Sequence, residues 1–168
     1  MRRHPTIAIA ALVTLLAGCS AAPSGARPQG LADTLTARGA CYARVYDAAH
    51  LASHPSQTVR RFFVGDAGEA WRAVETPGEF HVTFGFQLVG REDLYSGVAL
   101  CEPRDGAASC LVEGDGGAFT IESNGEGLRI EATRIEVEGP NDFSPDLALA
   151  DNRVMLLHSA QANECDEP

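Results

Sequence analysis

The sequence predicts an all-β domain, an antiparallel meander of about eight strands closing into a small barrel, with a two-sheet sandwich as the second choice. Three observations predict it. From Phe80 to Leu88 every even position is large and apolar (Phe80, Val82, Phe84, Phe86, Leu88) and alternates with His81, Thr83, Gly85 and Gln87. That period of two belongs to a strand with one buried face. Turn dipeptides then recur at Asp105-Gly106, Asp115-Gly116 and Asn124-Gly125, each a signal for a tight hairpin. Cys101 and Cys110, finally, lie symmetrically about the first of these turns.

The turns predict a register. With Asp105 and Gly106 as a two-residue turn, Arg104 faces Ala107, Pro103 faces Ala108, Glu102 faces Ser109 and Cys101 faces Cys110. Alternation of the two pair types puts Pro103 where no amide proton is needed. It puts the cysteines in a close pair, at a Cα separation of roughly 4.5 Å, near the short end of disulfide geometry. A turn at Asn124-Gly125 sets Ile121 opposite Leu128 and Phe119 opposite Ile130; one at Asp115-Gly116 sets Val112 opposite Phe119 and Cys110 opposite Ile121. A turn at Arg91 and Glu92 sets Phe86 against Gly97, Phe84 against Ala99 and Val82 against Cys101, large against small.

A five-stranded meander over residues 80 to 138 follows. The apolar parity switches after Ala132 to Ile135 and Val137, which predicts a β-bulge near Thr133 and Arg134. Further strands are expected at Arg153 to His158, Tyr42 to Tyr46 and Thr58 to Val64. Val98, Leu100 and Leu111 point to the other face and need cover, so the sheet is expected to curl on itself or to be covered by the terminal strands. Asp47 is placed to cap a helical turn that runs through His54 and stops at Pro55. Residues 139 to 152, with two prolines, read as a long loop.

The start of the chain is an address. Arg2 and Arg3 precede an uncharged apolar run from Ile7 to Ala17, the pattern of an export signal, and the run is shorter than the roughly 20 residues that span a bilayer. Leu16, Ala17, Gly18 and Cys19 resemble the lipobox of bacterial lipoproteins. That resemblance implies a diacylglyceryl group on the Cys19 thiol, cleavage before it, and tethering through the lipid. Ser20, where the family's inner-membrane retention signal is aspartate, implies the outer membrane facing the periplasm. The alternatives are an ordinary secretory signal cut near Ala21 or Ala22, or the apolar start of a cytosolic protein. The expected organisation is a signal peptide over residues 1–18, the lipidated cysteine and a flexible tether over 19–30, and a single β domain over 31–168.

With Cys19 lipidated, Cys41, Cys101, Cys110 and Cys165 remain, an even number that suggests disulfides in an exported chain. The hairpin geometry selects Cys101 with Cys110, and elimination leaves Cys41 with Cys165, stapling the start of the domain to its end. All 13 basic residues are arginines. Two lie in the leader, so the mature chain carries 11 positive against 23 negative charges, a net of −12. Such a balance argues against nucleic acid, which needs clustered cations, and against anionic headgroups.

His50 and His54 are four apart, which puts both imidazoles on one helix face, with Tyr46 and Asp47 just before them. These four are the candidate binding residues. The glutamate of the metalloprotease motif is absent between the histidines, and no metal site is assigned. Nor is there a nucleophile elbow, a phosphate-binding glycine loop or a Cys-x-x-Cys pair, so no catalytic residue and no cofactor is expected. Glu113, Glu122, Glu131, Glu136 and Glu138 read as a solvated strand face. His81 and His158 read as core histidines, and Trp71, Phe62 and Phe63 as packing residues.

The leading functional reading is a non-enzymatic, lipid-anchored binding module of the cell envelope, with an envelope protein as the possible partner. The domain also resembles the small lipid-anchored periplasmic β-barrels that inhibit lysozyme. The likeness lies in architecture, the hairpin disulfide, Tyr95-Ser96-Gly97 near a strand start, and an acidic charge suited to a basic enzyme. It implies an inhibitor or adaptor, but the chain lacks any lysine and the family's fuller loop motif, so no inhibitory residue carries over. The alternatives are an envelope metal-binding protein or enzyme using Asp47, His50 and His54, and a structural outer-membrane lipoprotein.

Overall fold

The computed structural model describes residues 30–165, in which the alternation of Phe80–Leu88 becomes β3 of a closed antiparallel barrel of eight strands. The expected leader, lipidated Cys19 and tether as far as residue 29 lie outside the described residues. The strands are β1 (Cys41–Val45), β2 (Val59–Asp66), β3 (Phe80–Leu88), β4 (Leu94–Arg104), β5 (Ala107–Val112), β6 (Gly117–Asn124), β7 (Gly127–Ile135) and β8 (Val154–Ser159). Each pairs with the next, and β8 returns to β1. Short helices α1 (Leu31–Leu35), α2 (Ala48–Ser53) and α3 (Glu69–Arg72) interrupt the meander. Among the described residues no helix is long and apolar enough to cross a membrane.

The Asp105-Gly106 hairpin has the expected register throughout, Cys101 facing Cys110 and Arg104 facing Ala107, with a Cα separation of 4.0 Å across the disulfide. Cys41 bonds Cys165, as elimination predicts. The other three hairpins keep the expected faces but slip by two residues. Ile121 faces Ile130, Cys110 faces Phe119, and Phe84 faces Gly97 with Phe86 against Tyr95. Turn chemistry explains the first slip. Asn124 stays in the strand paired with Gly127, and Gly125, at φ 64°, takes the first turn position, where a type II′ turn wants glycine. The bulge falls where parity places it: Ala118 faces Arg134 and Phe119 faces Ala132, leaving Thr133 as the extra residue.

Inward side chains fill the barrel to its axis. Phe62, Phe84, Phe86, Phe119, Ile121 and Ile130 are buried; Phe84 meets Phe119 edge-on at 5.5 Å and Phe86 stacks on Tyr95 at 5.3 Å. Each such side chain contributes about 1.5–3 kcal/mol on burial. The outer face is polar where the inner is apolar: Arg129 and Glu131 alternate with Leu128 and Ile130 along β7. One expectation is corrected here. Leu111, opposite Leu100 on the outer face, receives no cover and stays 61% exposed, because the chain curls by closing on itself and no second layer forms over β4 and β5.

The two ends are plugged by segments the strand pattern did not announce. At the end nearest the β4–β5 turn, Leu35 of α1 is fully buried in the core. At the other, the loop from residue 136 to 153 lays Val137 and Leu147 over the core. That loop is pinned by Tyr95, whose hydroxyl donates to Asp142 Oδ1 at 2.7 Å while Arg91 Nη2 holds Oδ2 at 2.9 Å. The Tyr95 hydrogen bond, then Arg91, hold the Asp142 carboxyl below its ordinary pKa of 3.8. A depressed folded-state pKa stabilises above the ordinary value and ceases to do so as the pH falls through the depressed one. In Asp142→Asn the Gly139 and Ser144 amides, both hydrogen-bonded within this loop, should therefore exchange with solvent faster at pH 7. The wild type should approach the variant as the pH falls below 3.8; unchanged exchange in the variant would show that the loop is held without Asp142.

Candidate functional site

β1 and β8 close the barrel through two residue pairs, Tyr42 with Ser159 and Ala43 with His158. Beyond these pairs β1 continues beside β2, with Arg44 opposite Phe62, while β8 continues beside β7, with Met155 opposite Ile130. A cleft of about 290 Å³ lies along this seam. Its polar wall is Arg44, Tyr46, His50, His54, Gln57 and His158; its apolar wall is Val154 and Leu156; Asp151 and Asn124 border it.

Three of the four candidate binding residues, Tyr46, His50 and His54, meet here. Asp47 does not line the cleft. Its carboxylate accepts from the His50 amide at 2.7 Å as the N-cap of α2, and that cap sets the helical turn which brings the two histidines together. The rings form a file: Tyr46 to His50 is 4.7 Å between centroids, His50 to His54 is 4.2 Å and nearly parallel. Arg44 lies over the Tyr46 ring at 5.4 Å. Burial pushes the Tyr46 hydroxyl pKa up, against the pull of Arg44, so the phenol stays neutral.

Hydrogen bonds fix which imidazole nitrogens carry protons. Gln57 Nε2 donates to the Val59 carbonyl, so its Oε1 accepts, and His50 Nε2 at 3.0 Å is the donor. His54 Nδ1 faces the His50 carbonyl at 3.0 Å and must donate. His158 Nε2 accepts from Arg44 Nη1 at 2.7 Å. This excludes two chemistries. Ser53 Oγ donates to the His50 carbonyl and lies 3.1 Å from the protonated Nδ1 of His54, so the histidine is no base toward that hydroxyl. Stacked imidazoles direct their lone pairs in parallel planes, so His50 and His54 do not converge on one ion. Among the described residues no three metal-ligating side chains gather.

Arg44 and His158 were not legible as site residues, and His158 is corrected from core to exposed cleft wall. They lie 114 positions apart and meet only because the last strand closes on the first. Arg38, Arg72, Arg91, Arg104, Arg129, Arg134 and Arg153 each have a carboxylate within 4.0 Å, whereas among the described residues none lies so close to Arg44, Arg60 or Arg61. Arg44 Nε is closed off from solvent without an acceptor, a condition that costs about 1–3 kcal/mol or more for a charged group.

A second cleft, of about 360 Å³, lies between the β5–β6 connection and the strand around Ser96 and Gly97. Glu113, Asp115, Glu136 and Glu138 line it beside Arg134, with Phe143 63% exposed at its wall. On the strand face, Arg129 takes Glu131 at 2.7 Å and Glu122 at 3.4 Å, and the Arg129 hydrogen bond holds the Glu131 carboxyl below its ordinary pKa. A general acid needs the opposite shift. His81 is buried beside Trp71, at 5.0 Å between rings, but is not the satisfied core histidine expected: its Nδ1 lies 3.6 Å from Glu75 Oε1 and has no hydrogen-bond partner. Set against models of protein families, curated proteins and solved structures, the chain matches none of them.

Proposed function

We propose that this chain is an extracytoplasmic, lipid-anchored binding module without catalytic activity. It is tethered through Cys19 on the periplasmic side of the outer membrane and binds its ligand in the seam cleft. The observation that carries this reading is the division of labour in the barrel. The interior is solid with aromatic and aliphatic side chains, while the donors, rings and apolar wall suited to a ligand collect outside, at the seam. Convergent polar groups against an apolar surface are the usual make-up of a small-ligand site. The two disulfides suit an oxidising compartment.

A second reading, an inhibitor of or adaptor for a basic envelope protein, is favoured by the acidic cleft around Ser96 and Gly97. The two readings separate by variants. Leu156 is 46% exposed on the seam and Leu111 is exposed on a different outer face. The mature chain, immobilised and incubated with an envelope extract, should retain a component that Leu156→Glu loses and Leu111→Glu keeps. Retention lost only on reversing Glu113 and Glu136 to arginine would move the function to the acidic cleft. The address has its own test. Cys19→Ala should shift the protein from the membrane to the soluble fraction, since a single modified cysteine carries the lipid chains that hold it. Unchanged membrane association would remove the lipid anchor from the proposal.

A further inference from the structure

We infer that the seam cleft recognises a small organic anion, an oxyanion head joined to a flat apolar body, with Arg44 as the counter-charge. The inference rests on the reading of the seam as the binding site and adds the class of ligand. Three independent features of the cleft converge on it.

The first is the state of Arg44. Of its guanidinium donors, Nη1 is committed to an imidazole nitrogen at 2.7 Å, which satisfies one hydrogen bond and no charge. Nε has no acceptor, and among the described residues no carboxylate lies within 4.0 Å of the group. A guanidinium prefers a two-oxygen acceptor along one edge, as a carboxylate or phosphate presents. An arriving oxyanion at the η nitrogens supplies the missing charge.

The second is the shape of the polar wall. Tyr46, His50 and His54 form a file with centroids 4.7 and 4.2 Å apart, their faces taken up by one another, so the file offers ring edges, which an aromatic face meets edge-on. The third is the facing wall. Val154 and Leu156 are 41% and 46% exposed on the strand that carries His158. Apolar side chains in that position shelter an apolar body better than they serve a bare inorganic ion. The volume of about 290 Å³ is at the small end of ligand pockets. Asp151 at the border further disfavours polyanions, whose additional charges would lie against it.

The test uses the full mature chain and three probes: 2-naphthoate, its neutral relative 2-naphthol, and inorganic phosphate. Binding is followed by the NMR resonances of Arg44 Nε and of the His50, His54 and His158 rings. The expected result is a saturable shift of all four groups by 2-naphthoate, with 2-naphthol and inorganic phosphate each at least tenfold weaker. Arg44→Gln should lose tenfold or more. Leu156→Glu, which puts a carboxylate on the exposed wall and leaves the core untouched, should abolish binding even if Arg44→Gln disturbs folding. Equal affinity for 2-naphthol, retention in both variants, or no saturable shift with 2-naphthoate or phosphate would overturn the inference. If the naphthoate titration fails while an envelope component is still lost in Leu156→Glu, the seam remains the site and the ligand class falls. If that component too is indifferent to Leu156→Glu, the seam itself falls.

Discussion

Replacing Cys41 and Cys165 together by serine should destabilise the domain by about 5 kcal/mol, against about 3 kcal/mol for the Cys101–Cys110 pair, on the chain-entropy account of cross-links. The difference arises from loop length. Cys41 and Cys165 are 124 positions apart and Cys101 and Cys110 only 9, so the first bridge removes far more freedom from the unfolded chain. It also stands where the barrel is least secured. β1 and β8 are joined by two residue pairs, and the disulfide ties the first residue of β1 to the segment following β8. For a domain of this size the loss corresponds to a fall in melting temperature on the order of 10 to 20 °C. Scanning calorimetry of both double variants checks it. A larger effect from the short-range pair would mean that the barrel wall depends on the hairpin more than on the closure.

The second large effect is expected at Asn152, a buried amide just before β8. Its Oδ1 accepts from the backbone amides of Thr58 and Val59 at 2.8 and 3.0 Å, and its Nδ2 donates to Thr58 Oγ1 at 2.8 Å. One side chain thus fastens the approach to β8 onto the start of β2, across the end of the seam opposite the disulfide. Asn152→Ala leaves two backbone donors and a hydroxyl without their partner, at a cost of about 2–4 kcal/mol. Asn152→Asp keeps the acceptor but loses the donor to Thr58, and should lie between wild type and alanine. Urea unfolding of the series measures both. A midpoint for Asn152→Ala equal to wild type would show that the freed amides find water and that the clamp is dispensable.

These predictions concern features of unequal visibility in the sequence. The barrel and the Cys101–Cys110 pairing were legible because alternation and an Asp-Gly turn speak for themselves within a few residues. The register of the other hairpins was legible only to within two residues, since a slip of two returns every side chain to the same face. Phe84 meets Gly97 rather than Ala99 because the connection Val89–Asp93 is longer than a tight turn, with Gly90 at φ 74°. At the site, the order Tyr46, Asp47, His50, His54 was readable as a capped helical turn, and it became one. Arg44 and His158 were not, because nothing local marks an arginine whose hydrogen-bond partner among the described residues is 114 positions away. Asn152 stayed hidden for the same reason, with partners 93 and 94 positions distant.

The meander has a consequence for the order in which the barrel can form. Seven of its eight strand pairings join neighbours in sequence, and one, β1 with β8, joins the two ends. Neighbouring strands can zip as the chain appears, since short loops close at little entropic cost, while the last pairing must wait for the final strand. Until then β1 and the newest strand both present unpaired backbone edges, the state in which β proteins pair with the wrong partner. The pieces that gather at the seam, Arg44 reaching across to His158, Asn152 clamping β2 and the long-range disulfide, all become available only with that last strand. Completion of the seam cleft and protection from aggregation therefore come in the same late step, and a chain truncated before Val154 should have neither.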